Sequence, residues 1–178
     1  MQPESPSGCT TLSLLPVPVR GVVVNIYLKQ LLNTPSKTAR IVLVDDHPEV
    51  LRQTRELLEP QFEVVQTLAN GSQVEAAVAR TRPDLLLLDI TLPLVNGIEI
   101  ATRLVRAGIA PRIVFLTVHE DVDYARAAMA AGAHGYVVKS RLASDLIPAL
   151  HAALLGQKFV SPVPALSQAG GDLPGPSP

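Results

Sequence analysis

The sequence holds one cysteine, Cys9, in 178 residues. A lone cysteine cannot build an internal disulfide framework and fits a reducing compartment. There is no CxxC pair and no His/Cys cluster at zinc-ligand spacing. Basic blocks are missing too. With a net charge of −1, the chain lacks the electrostatic footprint of a nucleic-acid binder, and no nucleic-acid partner is expected. It also lacks an uninterrupted apolar span of about 20 residues, the length a membrane helix needs. The longest candidate, "LSLLPVPVRGVVVNIYLKQLL", is broken by Pro16, Pro18, Arg20 and Lys29. Only Glu4 is charged ahead of it, whereas a secretory leader opens with basic residues. The expectation is a cytoplasmic chain with no membrane partner.

What is present is unevenly spread. Ten of the 16 prolines lie before position 36 or after position 161. The stretch between has apolar runs at regular intervals, and a hydrophobic content of 47% with mean hydropathy +0.27 argues against wholesale disorder. Three segments are expected: a poorly ordered extension over 1–38 with at most a short helix at 26–32, a domain over 39–156, and a Pro/Gly-rich tail over 157–178.

Within the domain, "IVLV" at 41–44 is a continuous apolar run, the mark of a strand covered on both faces. Pro48 opens a helical pattern with Val50, Thr54, Leu57 and Leu58 on one stripe, ended by Pro60. "FEVVQTL" reads as a second strand, followed by a short helix carrying Val74, Ala77 and Val78. "DLLLLD" supplies a third strand, and 97–107 a helix with Ile98, Ala101, Leu104 and Val105 inward. "RIVFLT", an alanine-rich helix over 121–131, "HGYVVK" and a last helix lined by Leu142, Leu146, Leu150 and Leu154 complete the pattern. Pro148 lies near enough to the start of that helix to be tolerated at some cost. Five strands alternating with five helices predict an α/β, doubly wound parallel sheet with right-handed crossovers. In such sheets function gathers at the carboxyl ends of the strands.

Those ends are polar. The first strand delivers Asp45 and Asp46, the third Asp89, the fourth Thr117 and the fifth Lys139. Adjacent carboxylates are costly: two unit charges ~5 Å apart at an effective dielectric of ~20 repel by roughly 3 kcal/mol. A cation between them offsets that cost. Three carboxylates with no fixed arginine suit Mg²⁺, a hard ion that prefers oxygen ligands and accepts phosphate oxygens. Asp89, on the central strand, is placed as a nucleophile towards phosphorus. Lys139 can pair with that carboxylate and then with phosphoryl oxygens, and the Thr117 hydroxyl can donate to another of them.

The motifs "LVDDHP", "LLLLDITLPLVNG", "VFLT" and "GYVVKS" resemble, in order and spacing, the receiver domain of two-component response regulators, the CheY-like family. The resemblance runs from about 40 to 155 and implies five parallel strands in the order 2-1-3-4-5. It implies phosphoryl transfer to Asp89 from a sensor histidine kinase or phosphotransfer protein, without small-molecule turnover. Asp46, Asp89 and the backbone carbonyl of Thr91 would bind Mg²⁺, with Asp45 acting mainly through a metal-bound water. Thr117 and Tyr136 would form a switch pair, Tyr136 moving inward on phosphorylation, and Lys139 would hold the phosphoryl group. The output would be a contact with a downstream protein or a second copy. Two details depart from many relatives: Val118 follows Thr117 where small residues are common, and Ser140 follows Lys139 where proline is common.

"HPEV", "TVHED" and "GQKFVSP" are most similar to receivers of LuxR-type transcription regulators, which carry a helix-turn-helix domain further on. Here "PVPALSQAGGDLPGPSP" is too short and too rich in Pro and Gly for one, so the alternative is a truncated or split regulator without its reader. An aspartate-nucleophile phosphatase shares the chemistry but wants an acid two residues after its nucleophile. Thr91 and His47 stand at those positions. His47 is expected as a loop or capping residue, Asn96-Gly97 as a structural turn, and His119, His134 and His151 as unconnected.

Overall fold

Parallel strands separated by single helices need both sheet faces covered, and the chain does this with two sets of helices. In the computed structural model, residues 38–163 are described. All but Thr38 of the expected extension over 1–38, the short helix at 26–32 and the end of the chain beyond 163 lie outside them.

The order is β1 (Arg40–Val44), α1 (Pro48–Leu58), β2 (Glu63–Leu68), α2 (Val74–Thr81), β3 (Leu85–Leu88), α3 (Gly97–Arg106), β4 (Arg112–Thr117), α4 (Val122–Ala130), β5 (Gly135–Val138), α5 (Leu142–Leu154) and β6 (Phe159–Val160). Short 3₁₀ turns at Gly71–Gln73 and Lys139–Arg141 precede α2 and α5. All strand pairs are parallel, in the order β2-β1-β3-β4-β5-β6.

Alternate side chains of each strand go to opposite faces. On one face Val42, Val44, Leu86, Leu88, Ile113 and Phe115 pack with Val74, Ile100, Leu104 and Ala128 from α2, α3 and α4. On the other, Ile41, Leu43, Leu85, Leu87, Val114 and Leu116 meet Leu58, Leu146, Leu150 and Ala153 from α1 and α5. Each fully buried leucine or isoleucine contributes about 1.5–3 kcal/mol relative to exposure.

The structure departs from the expected pattern in three ways. The sheet has a sixth strand, because Phe159–Val160 pairs with the β5 edge and Val163 is fully buried behind it. The segment expected to be tail from 157 therefore still belongs to the folded unit as far as Val163. On α3 the buried positions are Ile100, Ala101 and Leu104, while Val105 is 44% exposed. Leu57 and Leu154 likewise lie at the edges of their helical stripes, each more than a third exposed. A helix of 3.6 residues per turn rotates such flanking positions away from the sheet.

Candidate phosphoryl-transfer site

The sheet itself sets where the acidic residues stand. Ladder bonds run one residue past the strand ends: the Asp45 N–H donates to the Leu68 carbonyl at 3.1 Å, and the Asp89 N–H to the Val44 carbonyl at 3.0 Å. Their carboxylates thus share the carboxyl edge with Thr117, the last residue of β4, and Lys139, the first after β5. Asp45, Asp89 and Thr117 are buried.

Beyond Asp89 the chain turns back tightly. Gly97 N–H donates to the Ile90 carbonyl at 2.8 Å, and Asn96 Oδ1 caps α3 by accepting from the Ile98 N–H at 2.8 Å. A Cβ on Gly97 would lie 2.1 Å from the Asp89 carbonyl oxygen. Asn96-Gly97 is therefore a helix cap and a close approach that holds the Asp89 loop, more than a turn.

Lys139 joins two of the carboxylates. Its Nζ donates to Asp89 Oδ2 at 2.6 Å and lies 2.6 Å from Asp45 Oδ2 as an ion pair. Burial would lower the lysine pKa, but the contacts with Asp45 and Asp89 outweigh it and raise the value. Burial pushes the Asp89 pKa up, and the Lys139 hydrogen bond offsets this only in part. Asp89 Oδ1 accepts from the Thr91 N–H at 3.1 Å, and Asp45 Oδ1 from the His47 N–H at 2.9 Å.

Asp46 is the carboxylate left over. Its Oδ1 is buried and accepts no hydrogen bond, although His47 Nδ1 approaches to 2.9 Å. Ligand atoms of Asp45, Asp46, His47 and Asp89 all fall within 4.8 Å of one another. One ammonium against three carboxylates leaves negative charge in excess, and an oxygen-rich donor set with an unbonded buried oxygen fits a hard divalent cation. His47, expected as a loop or capping residue, stands at the N-cap position of α1, makes no side-chain capping bond there, and turns its ring to this acidic pair.

The β4–α4 loop holds the second group. The His119 N–H donates to Thr117 Oγ1 at 3.3 Å, and the His119 carbonyl accepts from the Tyr136 hydroxyl at 2.9 Å. The His119 ring lies 2.9 Å from Thr91 Oγ1 at Nε2 and stacks on Tyr124, with centroids 4.0 Å apart and planes at 9°. Tyr136 is fully buried, and its hydroxyl pKa is pushed up to about 12, first by burial and then by Asp121 and Tyr124. Tyr136 stands inward here, and the His119 carbonyl satisfies its hydroxyl in the buried position. His119, expected as unconnected, is thus joined to Thr91, Thr117, Tyr124 and Tyr136. Its only signal was its place two residues after Thr117.

Against known proteins, residues 41–151 match the family model of the response regulator receiver domain. The transcriptional regulatory protein DegU of Brevibacillus brevis is 32% identical over 125 residues, 69% of this chain and 53% of the relative. The nitrate/nitrite response regulator NarL of Escherichia coli K12 is 34% identical over 69% of this chain and 58% of the relative. The chain thus spans little more than half the length of these curated relatives. Among solved structures, a LuxR-family two-component response regulator from Aurantimonas sp. SI85-9A1 superposes with a TM-score of 0.67 at 37% identity, over 74% of this chain and 94% of that one. The strand-end carboxylates, the family match and these relatives agree: this chain belongs to the response regulator receiver domains of two-component systems.

Proposed function

We propose that Asp89 is the phospho-acceptor, and that the chain receives a phosphoryl group from a phosphohistidine on a sensor histidine kinase or phosphotransfer protein. In the transfer, a phosphorus–oxygen bond forms to Asp89 while the phosphorus–nitrogen bond to the imidazole breaks. Asp46, Asp89 and the Thr91 carbonyl, with Asp45 behind, would hold Mg²⁺, which when bound draws off charge from the phosphoryl oxygens. Lys139 starts paired to Asp89 and follows the charge to a phosphoryl oxygen as the carboxylate is consumed. Thr117 donates its hydroxyl to another oxygen. The loop carrying His119, together with Tyr136 on β5, passes the change on to a protein-binding face, and the chain works in the cytoplasm.

The observation that carries this reading is Lys139 Nζ at 2.6 Å from both Asp45 and Asp89 in a pocket with carboxylates to spare. Incubation with phosphoramidate and Mg²⁺ should add one phosphoryl group by intact mass. Asp89→Asn should take up none, and a variant that labels like the wild type would assign the acceptor elsewhere.

A further inference from the structure

Leu94 is out of place by two physical measures. Its φ is 71°, in the left-handed region that a bulky side chain rarely adopts, and it is 95% exposed. The other described non-glycine residue with positive φ, Arg82, closes α2 as its C-cap. Leu94 closes no helix. It stands on the loop between Asp89 and α3, flanked by Leu92, which is buried, and Val95, which packs on the core. That loop is tied down at both ends, by the Thr91 N–H on Asp89 and by the Gly97 N–H on Ile90. The apolar side chain is thus held outward on a fixed support beside the acceptor carboxylate. Glycine or asparagine would relieve the backbone at this position. Strain retained at a reactive loop points to a role in what the loop meets.

We propose that Leu94 is a specificity-determining contact for the phosphodonor protein, seating the domain that carries the phosphohistidine over Asp89. The inference rests on the phospho-acceptor reading above. The pocket gives an anionic phosphoryl donor no surplus attraction: three carboxylates are balanced at best by Lys139 and one divalent cation. Affinity for the donor must then come from the rim. The described residues supply an exposed apolar side chain on each of two neighbouring strand-end loops, Leu94 after β3 and Val118, 62% exposed, after β4. A protein bringing its phosphohistidine to a buried Asp89 must pass over these loops, whereas a small phosphodonor need not touch them.

The test compares two donors on the full chain. One is phosphoramidate with Mg²⁺. The other is the set of autophosphorylated cytoplasmic kinase domains from the histidine kinases encoded in the same genome. Leu94→Asn removes the apolar contact and accepts a positive φ, so it should fold at least as stably as the wild type. Its transfer rate from the kinase that serves the wild type should fall about tenfold or more, as loss of one buried leucine contact implies. Its labelling by phosphoramidate should be unchanged. Leu94→Met, which keeps apolar bulk, should retain kinase-driven transfer. Full kinase-driven transfer to Leu94→Asn, equal loss with both donors, loss in Leu94→Met as well, or no kinase serving the wild type would each overturn the proposal. A wild type that phosphoramidate does not label would instead bring down the phospho-acceptor reading on which it stands.

Discussion

The two edges of the sheet both end in charge, yet they behave differently. At the amino edge, Asp84 Oδ2 accepts from the Arg40 N–H at 2.9 Å, Arg40 Nη1 donates to the Thr81 carbonyl at 2.6 Å, and Arg112 Nη1 lies 2.8 Å from His134 Nε2. The charged groups here find partners within the fold, and among the described residues of this edge only the ring nitrogen His134 Nδ1 is buried without a hydrogen bond. At the carboxyl edge, one lysine pairs with two of three carboxylates, and the third, Asp46, has its Oδ1 buried without a hydrogen bond. A charged strand end is therefore not a site in itself. The imbalance makes one, because it leaves work for a cation or a phosphoryl group.

The strongest way to break the comparison is to spoil the carboxyl edge through the backbone alone. Gly97→Ala forces a Cβ against the Asp89 carbonyl, and should cost about 3 kcal/mol or more in a urea melt. Uptake from phosphoramidate should fall with it, although no charge has changed. An alanine variant with wild-type stability and labelling would show that the Asp89 loop is not held by this close approach.

A milder change should give opposite signs at the two edges. Without Mg²⁺, Asp46→Ala removes a repelling carboxylate and should stabilise by about 1 kcal/mol. Asp84→Ala strands the Arg40 N–H and should destabilise by about 1–2 kcal/mol. With Mg²⁺ the order sharpens: Asp46→Ala should lose the metal-induced rise in Tm that Asp84→Ala keeps. Equal metal shifts in the two variants would remove Asp46 from the pocket.

The smallest effect is in pH. Asp145 is buried, and burial opposes its charge. Bonds from Arg141, Ser144 and Ser161 overcome this and hold its carboxyl at about 2, well below the usual aspartate range. A carboxylate lowered on folding contributes stability above its unfolded pKa, and loses it as pH falls through the folded value. The stability gap between wild type and Asp145→Asn should thus be full at pH 5 and close towards pH 2. Asp89, pushed up by burial, runs the other way: its ionisation weakens the metal-free fold as pH rises through its raised pKa. A gap for Asp145 that stays constant from pH 5 to 2 would contradict the bonding seen around it.

Much of this was legible in the chain. Short uninterrupted runs such as "LLLL" at 85–88, bounded by Pro83 and Asp84 on one side and by Asp89 on the other, fit strands buried on both faces, and parallel topology brings their carboxyl ends to one edge. That topology alone places Asp45, Asp46, Asp89, Thr117 and Lys139 together. β6 was not legible, since two residues after a helix carry no periodicity and pair only because the β5 edge is open to them. His119 was missed for a similar reason: its partners Thr91, Tyr124 and Tyr136 come from separate elements that only the folded loop brings together. The inward Tyr136 could not be read either, because it depends on one carbonyl being aimed at its hydroxyl.

The strand β6 has a mechanical consequence. The Ser161 N–H donates to the Tyr136 carbonyl at 2.8 Å, and Ser161 Oγ links the Val138 N–H to Asp145 Oδ2, at 3.3 and 2.7 Å. The segment that runs to Val163 is thus tethered to the strand that carries Tyr136 and leads directly into Lys139. A pull at Val163 is borne by its burial and by that tether, so tension there loads the same backbone that positions the lysine. By thermodynamic reciprocity, any shift of that backbone when Asp89 changes charge alters how firmly the tether holds.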